Sequence, residues 1–294
     1  MMKILFIGSA KFSLSTLKLL LELNSNIVGI CTSKNSNINA DHVDLSNISK
    51  EHKIPWIYAN DINSQESIKW IKSKEPDIIF CFGWSRILKK ELLNLPSLGV
   101  IGYHPTLLPA NRGRHPIIWT LSLGLNKTGS TFFVINEGVD SGDLISQREI
   151  HIDVEENAGS LYEKLIKVAL DQIREFLPML KNGNIPRIKQ NDSQSNTWRK
   201  RSDKDGRIDW RMSAHTIHNL VKAITKSYPG AYFEYESERI IVWKSTVILG
   251  TEENIEPGKI LSISKNGAVV KCGEESIQLL LTEPNFSPEV GCYL

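Results

Sequence analysis

One histidine stands at the end of a predicted strand, where its side chain is placed for acid–base chemistry. His104 follows the apolar run 100–103 and precedes Pro105, which has no N–H with which to continue a strand ladder. The strand is therefore predicted to stop there, at the carboxyl edge where open α/β sheets bind their ligands. Because an imidazole changes its charge near neutral pH, His104 is a candidate proton acceptor.

A carboxylate that suits this histidine lies in the acidic turn 140–143, which reads Asp-Ser-Gly-Asp. The turn follows a further apolar run, 131–135. If that run forms a strand beside the strand of His104, the side chain of Asp140 can reach the imidazole. A carboxylate in that place fixes the tautomer of the ring and stabilises its cation, as a proton acceptor requires.

The apolar runs that carry these residues alternate with amphipathic segments, and this pattern predicts an α/β fold. Runs such as 3–8 and 78–82 are typical of buried strands in a parallel sheet. We predict a Rossmann-like domain with a mostly parallel sheet over residues 1–188. A linker rich in Asn, Ser and Gln follows over 189–201, and short strands predict a small β-rich, barrel-like domain over 202–294.

The composition is that of an ordinary globular protein of 294 residues, with 41% apolar and 23% charged residues and a net charge of +2. Residues 201–294 carry 11 Lys and Arg against 13 Asp and Glu, so this segment is a poor candidate for binding a nucleic acid. The sequence shows no signal-peptide pattern and no apolar run of the roughly 20 residues that span a bilayer. We therefore predict a cytoplasmic protein without a membrane partner.

The metal-ligating residue types do not form a metal motif. The four cysteines contain no C-x-x-C pair, and small buried thiols in a reducing compartment are the simpler interpretation. His215 and His218 have the spacing of two ligands on one helix face, but no third ligand is close in the sequence. No metal is predicted.

Two pairs of residues are candidates for binding phosphate. Ser9 and Lys11 lie where the first strand turns into the first helix, whose N-terminal amides suit an anion. The turn contains Gly8 alone and no G-x-G-x-x-G pattern, so it does not predict a dinucleotide site. Arg112 and Arg114 precede a helix that is predicted to begin near residue 116, and they suit a diphosphate. An ordinary capped helix and a solvated pair of arginines are the alternatives.

Three segments together resemble the folate-dependent formyltransferases. They are 83–88 (GWSRIL), 104–116 (HPTLLPANRGRHP) and 140–143 (DSGD). The resemblance continues more loosely into the C-terminal domain, through 209–210 (DW), 229–231 (PGA) and 242–244 (VWK). It implies a formyltransferase whose co-substrate is N10-formyltetrahydrofolate, with His104 as the proton acceptor and Asp140 as the residue that orients it.

The resemblance also implies a folate-binding slot, formed by main-chain groups of 83–88 on one side and by the segment 136–139 on the other. The residues it assigns to this slot are Gly83, Trp84, Arg86, Ile87, Leu88, Asn136, Glu137 and Val139. The alternative for the first segment is that Trp84, Ile87 and Leu88 simply begin a helix that packs on the sheet.

The acceptor of the formyl group is predicted to be a nucleotide-linked amino sugar, in the biosynthesis of a surface polysaccharide such as lipopolysaccharide. Methionyl-tRNA formyltransferases carry a longer, basic loop where this chain has 33–41, which holds only Lys34 and is predicted to be mobile. Methionyl-tRNA is one alternative acceptor. A non-catalytic homologue that binds folate or nucleotide is another alternative. The sequence leaves the oligomeric state open, with a homodimer as one expectation.

One position departs from the family pattern. The family has an Asn two residues before its His, where it helps to position the formyl group and donates to the developing oxyanion, and this chain has Gly102. Losing one such donor typically costs about 2.7–4 kcal/mol of transition-state stabilisation. We expect another donor to take its place, with Ser85, Asn111 or a water as candidates, helped by the protonated His104.

Overall fold

The computed structural model describes residues 1–35 and 41–294. Most of the predicted mobile loop 33–41 therefore lies outside the described residues. The chain divides into two compact units. The first unit comprises Met1–Gly113, Gly129–Ile150 and Lys164–Thr197, and the second comprises Arg114–Thr128, His151–Glu163 and Trp198–Leu294.

The first unit is built on a seven-stranded sheet with the order β3-β2-β1-β4-β5-β7-β8. The strands from β1 to β9 are β1 (Lys3–Ile7), β2 (Asn26–Thr32), β3 (Trp56–Tyr58), β4 (Ile78–Cys81), β5 (Val100–His104), β6 (Arg112–Gly113), β7 (Lys127–Val134), β8 (Leu144–His151) and β9 (Thr197–Trp198). The pairs from β3 to β5 are parallel, and β7 runs antiparallel to β5. The predicted α/β class with a mostly parallel sheet is confirmed.

Seven α-helices are found in the described part of the chain. They are α1 (Lys11–Glu22), α2 (Ser46–Glu51), α3 (Gln65–Lys72), α4 (Lys90–Leu93), α5 (Pro116–Ser122), α6 (Ala158–Lys181) and α7 (Ala214–Ala223). The crossover helices form where apolar residues recur at helical spacing, and α5 begins at Pro116, whose missing N–H costs nothing at a first helical position. No helix among the described residues is long and apolar enough to cross a membrane.

The central strands of the first unit are buried on both faces, as their continuous apolar sequences require. All four residues of β4 are buried, and an apolar cluster that includes Leu5, Ile7, Ile79 and Val100 covers one face of the sheet. Because each crossover returns the chain to the edge where the strands begin, the parallel strands all end side by side at the opposite edge. This edge receives His104 from β5.

The second unit contains a five-stranded antiparallel sheet with the order β10-β11-β14-β13-β12. Its strands are β10 (Ala231–Tyr235), β11 (Glu238–Ile248), β12 (Ile260–Ser264), β13 (Gly267–Lys271) and β14 (Ser276–Glu283). Helix α7 packs against β11. The predicted β-rich C-terminal domain is thus confirmed.

Two segments have more specific structure than the sequence suggested. Residues 83–88 are not helical, and α4 begins only at Lys90, so the segment remains an extended loop after β4. The segment 189–201, expected as a linker, contains a short 3-10 turn at Asp192–Gln194 and the strand β9, which pairs with β6.

Candidate functional site

His104 ends β5 and is almost entirely buried, with 5% of its surface exposed. Its Nε2 atom lies 2.8 Å from the carbonyl oxygen of Asn111. Because a carbonyl oxygen only accepts hydrogen bonds, Nε2 must carry a proton and donate. In the neutral ring the remaining nitrogen, Nδ1, is therefore the one that can take up a proton.

Asp140 faces that nitrogen. Its Oδ2 atom lies 3.6 Å from Nδ1 of His104, and the same oxygen accepts a hydrogen bond of 2.8 Å from the backbone N–H of Gly113. The strand pairing brings the two together, because β7 lies beside β5 with His104 opposite Thr131. The structure thus has the neighbourhood that the sequence predicted for His104 and Asp140, and their catalytic roles stay a prediction.

The turn that carries Asp140 is tightly folded. Asp140 has a φ of 49°, in the left-handed region that Asp and Asn tolerate better than most residues. The side chain of Asn136 accepts hydrogen bonds from the backbone of Gly138 and from the Ser141 hydroxyl. At Gly142 a Cβ would lie only 1.6 Å from the carbonyl oxygen of Val134, so this position requires glycine.

Gln190 also contacts this turn, and sequence reasoning did not identify it. Its amide nitrogen donates to the carbonyl oxygens of Asp140 at 2.8 Å and Gly142 at 2.7 Å. Its amide oxygen accepts from the Arg112 guanidinium. Gln190 lies in the segment that was predicted as a linker because it lacks apolar periodicity, and no motif marked it.

Arg112 therefore has a different environment from the one expected of a diphosphate ligand. It is 8% exposed, and besides Gln190 it forms an ion pair of 2.7 Å with Asp192. Its backbone N–H donates to the carbonyl of Asn196. Burial and these partners engage the Arg112 guanidinium within the chain, which does not fit the alternative of a solvated arginine, and phosphate binding by Arg112 stays a prediction.

The other predicted phosphate ligands are also placed by the structure. Ser9 is buried, and the backbone N–H of Lys11 donates to the carbonyl of Asp41. The backbone N–H of Ala10 donates to the Ser13 hydroxyl, so two amides at the start of α1 have partners within the chain. Arg114 belongs to the second unit and is half-buried there. Phosphate binding by Ser9, Lys11 and Arg114 stays a prediction.

Within the second unit, His115 precedes α5 with a φ of 56°. Burial lowers the pKa of His115, and the nearby charges of Arg114, Arg201 and Lys200 lower it further.

The two predicted sides of the folate slot lie close together in the first unit. Glu137 forms an exposed ion pair of 3.3 Å with Lys90, just beyond the segment 83–88. Ile87 and Val139 expose 78% and 57% of their surfaces, and such apolar side chains suit a flat aromatic ring.

The segment 83–88 is held in place by contacts with the apolar cluster of the sheet. Leu88 is buried and Trp84 packs against the apolar cluster of the sheet, while the Arg86 guanidinium lies 6.0 Å from the Trp84 ring. Gly83 has a φ of 65°, so the chain turns there in a conformation that favours glycine. Asn63, which the sequence did not mark, accepts from the N–H of Lys89 and donates to the Ile87 carbonyl. These residues fit a folate, and their roles stay predictions.

The place beside Gly102 is filled by hydrocarbon. A Cβ on Gly102 would lie 2.8 Å from Cγ1 of Ile135 and 3.2 Å from Cε1 of Phe133. Neither Ser85 nor Asn111 is among the three nearest atoms, and the expected replacement of the family's donor stays a prediction. Asn111, one of the candidates, holds the His104 ring through its carbonyl group.

The cysteines and histidines form no metal site in the described part of the chain, where no group of three or more His, Cys, Asp or Glu residues is arranged to hold an ion. Cys31, Cys81 and Cys272 are buried thiols. Burial raises the pKa of Cys81 to about 12, so this thiol is unreactive at neutral pH. His218 contacts the Ser245 hydroxyl at 3.1 Å.

Comparison with known proteins decides the family. Residues 2–175 match the model of the formyl transferase family, and residues 200–288 match that of the formyl transferase C-terminal domain. The chain belongs to the formyl transferase family. Its activity is the transfer of a formyl group from a formyl-tetrahydrofolate.

Two members of the formyl transferase family show how the similarity is distributed. The chain is 33% identical to the bifunctional polymyxin resistance protein ArnA of Wigglesworthia glossinidia brevipalpis, over 95% of this chain and only 42% of that protein. It is 32% identical to the methionyl-tRNA formyltransferase of Alkaliphilus oremlandii, over 95% of this chain and 90% of that protein.

A solved structure of the family shares the fold. The N-formyltransferase of Helicobacter canadensis, in complex with folinic acid and dTDP-3-aminofucose, superimposes with a TM-score of 0.71 at 18% identity. The match covers 95% of this chain and 99% of that one.

Proposed function

We propose that this formyltransferase uses N10-formyltetrahydrofolate as its donor and formylates the amine of a nucleotide-linked amino sugar, with His104 as the proton acceptor. The observation that carries the proposal is the approach of Asp140 Oδ2 to within 3.6 Å of Nδ1 of a buried histidine at the end of a sheet strand. The Asn111 carbonyl holds the ring in one tautomer, and the Asp140 carboxylate is placed to stabilise its cation.

The reaction follows from that geometry. The free amine attacks the formyl carbon, and a tetrahedral oxyanion forms. Nδ1 of His104 takes up the proton that the amine loses, because Nε2 already carries a proton that it donates to Asn111. The C–N bond to the folate then breaks, the proton returns to the folate nitrogen, and the products are a formamide and tetrahydrofolate. The imidazolium that exists between these steps lies between the Asp140 carboxylate and the Asn111 carbonyl.

Several observations support a sugar acceptor. The segment 33–41 contains one basic residue, and residues 201–294 carry more acidic than basic side chains, so neither is suited to a polyanion such as tRNA. The Helicobacter canadensis protein, which shares the fold, was solved with a dTDP-linked amino sugar.

Methionyl-tRNA is the second candidate acceptor, because a methionyl-tRNA formyltransferase is as similar in sequence as ArnA is and matches over nearly its full length. A binding protein without catalysis is the third reading. The replacement of the family's Asn by Gly102 favours it, and the close approach of His104 and Asp140 argues against it.

The test is incubation of the protein with N10-formyltetrahydrofolate and each of several acceptors, followed by mass spectrometry. The acceptors are dTDP-3-aminofucose, UDP- and dTDP-linked 4-amino sugars, and methionyl initiator tRNA. We expect a formylated amino sugar and no formylated tRNA. Formylation of the tRNA alone would overturn the sugar proposal, and folate binding without any product would favour the binding protein.

A further inference from the structure

Both the oxygen and the nitrogen of the Gln190 carboxamide form hydrogen bonds within the chain. Its two N–H groups meet the carbonyl oxygens of Asp140 and Gly142, and its oxygen meets Nε and Nη2 of Arg112 at 3.2 and 2.8 Å. The reversed amide would place an oxygen against two carbonyls and an NH₂ group against a guanidinium. Only one orientation is therefore compatible with these partners.

The support behind Gln190 is rigid. Arg112 is buried, its backbone N–H donates to the Asn196 carbonyl, and its guanidinium also pairs with Asp192. Because the guanidinium is planar and held at several points, it fixes the direction in which the Gln190 side chain extends. The Gln190 amide therefore contacts the Asp140 turn from a position that Arg112 fixes.

The position of the Asp140 carboxylate depends on this turn. Asp140 has a φ of 49°, and its carboxylate lies 3.6 Å from Nδ1 of His104, which is longer than a hydrogen bond. A small shift of the turn would bring the two groups together or separate them. Misplacement of a reacting group by 1 Å can cost roughly a hundredfold in rate.

We infer that Gln190 is a positioning residue for formyl transfer, which holds the Asp140 turn so that the carboxylate faces His104. It acts through the backbone carbonyls of Asp140 and Gly142. This inference rests on the proposed roles of His104 and Asp140.

The main test compares Gln190→Glu with Gln190→Met. The Glu variant keeps an oxygen for Arg112 but turns oxygen toward the two carbonyls of the turn, and the Met variant removes every polar contact at similar length. Both should lower kcat about tenfold or more, with KM for the formyl donor changed by less than about twofold. The matched control is Asp192→Asn, which neutralises the 79% exposed carboxylate beside Arg112 but keeps an oxygen that can accept from its guanidinium, so the support of Gln190 stays and turnover should be near normal.

A double-mutant cycle separates positioning from general damage. If Gln190 acts through the Asp140 carboxylate, adding Gln190→Glu to Asp140→Asn should cause little further loss of kcat. An equal loss in both backgrounds would mean a merely structural role and would overturn the inference. Retention of normal turnover by both Gln190 variants, while Asp140→Asn is impaired, would overturn it and leave the proposed function intact. Normal turnover of Asp140→Asn would instead refute the proposed role of Asp140 and with it this inference, while the absence of any formylated acceptor with the wild-type protein would refute the proposed function.

Hydrogen exchange gives a readout that needs no acceptor. The N–H of Gly113 donates to the Asp140 carboxylate, so a displaced turn should expose it. We expect faster exchange in peptides that contain Gly113 and residues 136–143 in both Gln190 variants, and unchanged exchange in Asp192→Asn. Unchanged exchange in the Gln190 variants would overturn the inference even if they are less active.

Discussion

Ile135 packs against the backbone of Gly102, and its Cγ1 atom would lie only 2.8 Å from a Cβ at that position. The two residues meet because Gly102 lies opposite Phe133 in the pairing of β5 with β7, close to where β7 ends. The space that a side chain at residue 102 would enter is therefore filled by hydrocarbon. The three heavy atoms nearest to that position are carbons of Ile135 and Phe133.

Gly102→Asn is expected to lower turnover rather than restore it. The new side chain must displace Ile135 and Phe133, which disturbs the strand two residues before His104. Overpacking of this kind typically costs about 1–3 kcal/mol of stability. Measurement of kcat and of the melting temperature should show both decreasing.

Removing the obstruction tests the cause of that loss. In Gly102→Asn combined with Ile135→Ala, the amide has room, and turnover should exceed that of either single variant if a donor is all that the site lacks. Ile135→Ala alone is the control. A higher rate for Gly102→Asn by itself would show that Ile135 yields easily and that the packing argument is wrong.

Loss of the acid–base pair should reduce turnover about a hundredfold or more, which is the usual size of a general acid–base contribution. The variants are His104→Asn and Asp140→Asn. Asn is the better replacement at residue 140, because an Ala with a φ of 49° would strain the turn and confuse the result. Folate binding, followed by fluorescence or calorimetry, should survive in both. Near-normal turnover in either variant would remove that residue from the mechanism.

Binding of initiator tRNA is expected to be weak and insensitive to salt. Binding that depends on phosphate contacts weakens steeply as salt is added, because the contacts release counterions. Electrophoretic mobility shifts at low and high salt would measure this. A tight complex that dissociates with added salt would favour the methionyl-tRNA alternative.

Stability should decrease as the pH falls below about 6.5, the ordinary pKa of His218. Burial lowers the pKa of His218, and the charge of Lys222 adds to the effect, while Glu155 opposes it. The unfolded chain therefore takes up a proton that the folded protein resists, so stability is greater above this pH and is lost below it.

The check is the melting temperature at about pH 7.5 and about pH 5.5, for the wild type and for His218→Asn. Asn retains a polar atom for the Ser245 hydroxyl but does not titrate in this range. The variant should lose less stability on acidification than the wild type does. His115, whose pKa is also lowered, leaves a residual pH dependence in both proteins.

The strands of the first unit illustrate what local sequence determines. Continuous apolar runs predicted β1, β4 and β5 to within one residue, because a strand buried on both faces must be apolar throughout. Pro105 marked the end of β5, and with it the edge at which His104 lies. The motif strings, in turn, were specific enough to identify the family.

The contacts of Gln190, Ile135 and Asn111 were decided only by the tertiary structure. Gln190 lies in a polar stretch without apolar periodicity. Its proposed role depends on hydrogen bonds with Arg112 and with the Asp140 turn, which are remote from it in the chain. Arg112 was a candidate phosphate ligand because it precedes a predicted helix together with Arg114, yet the fold buries it. A sequence pattern indicates which face of a helix or strand is apolar. The hydrogen-bond partners of a polar side chain depend instead on which remote backbone groups the folded chain brings within about 3 Å. The sequence therefore determined the family, the strands and the two candidate catalytic residues, and only the packed chain decided what holds them in place.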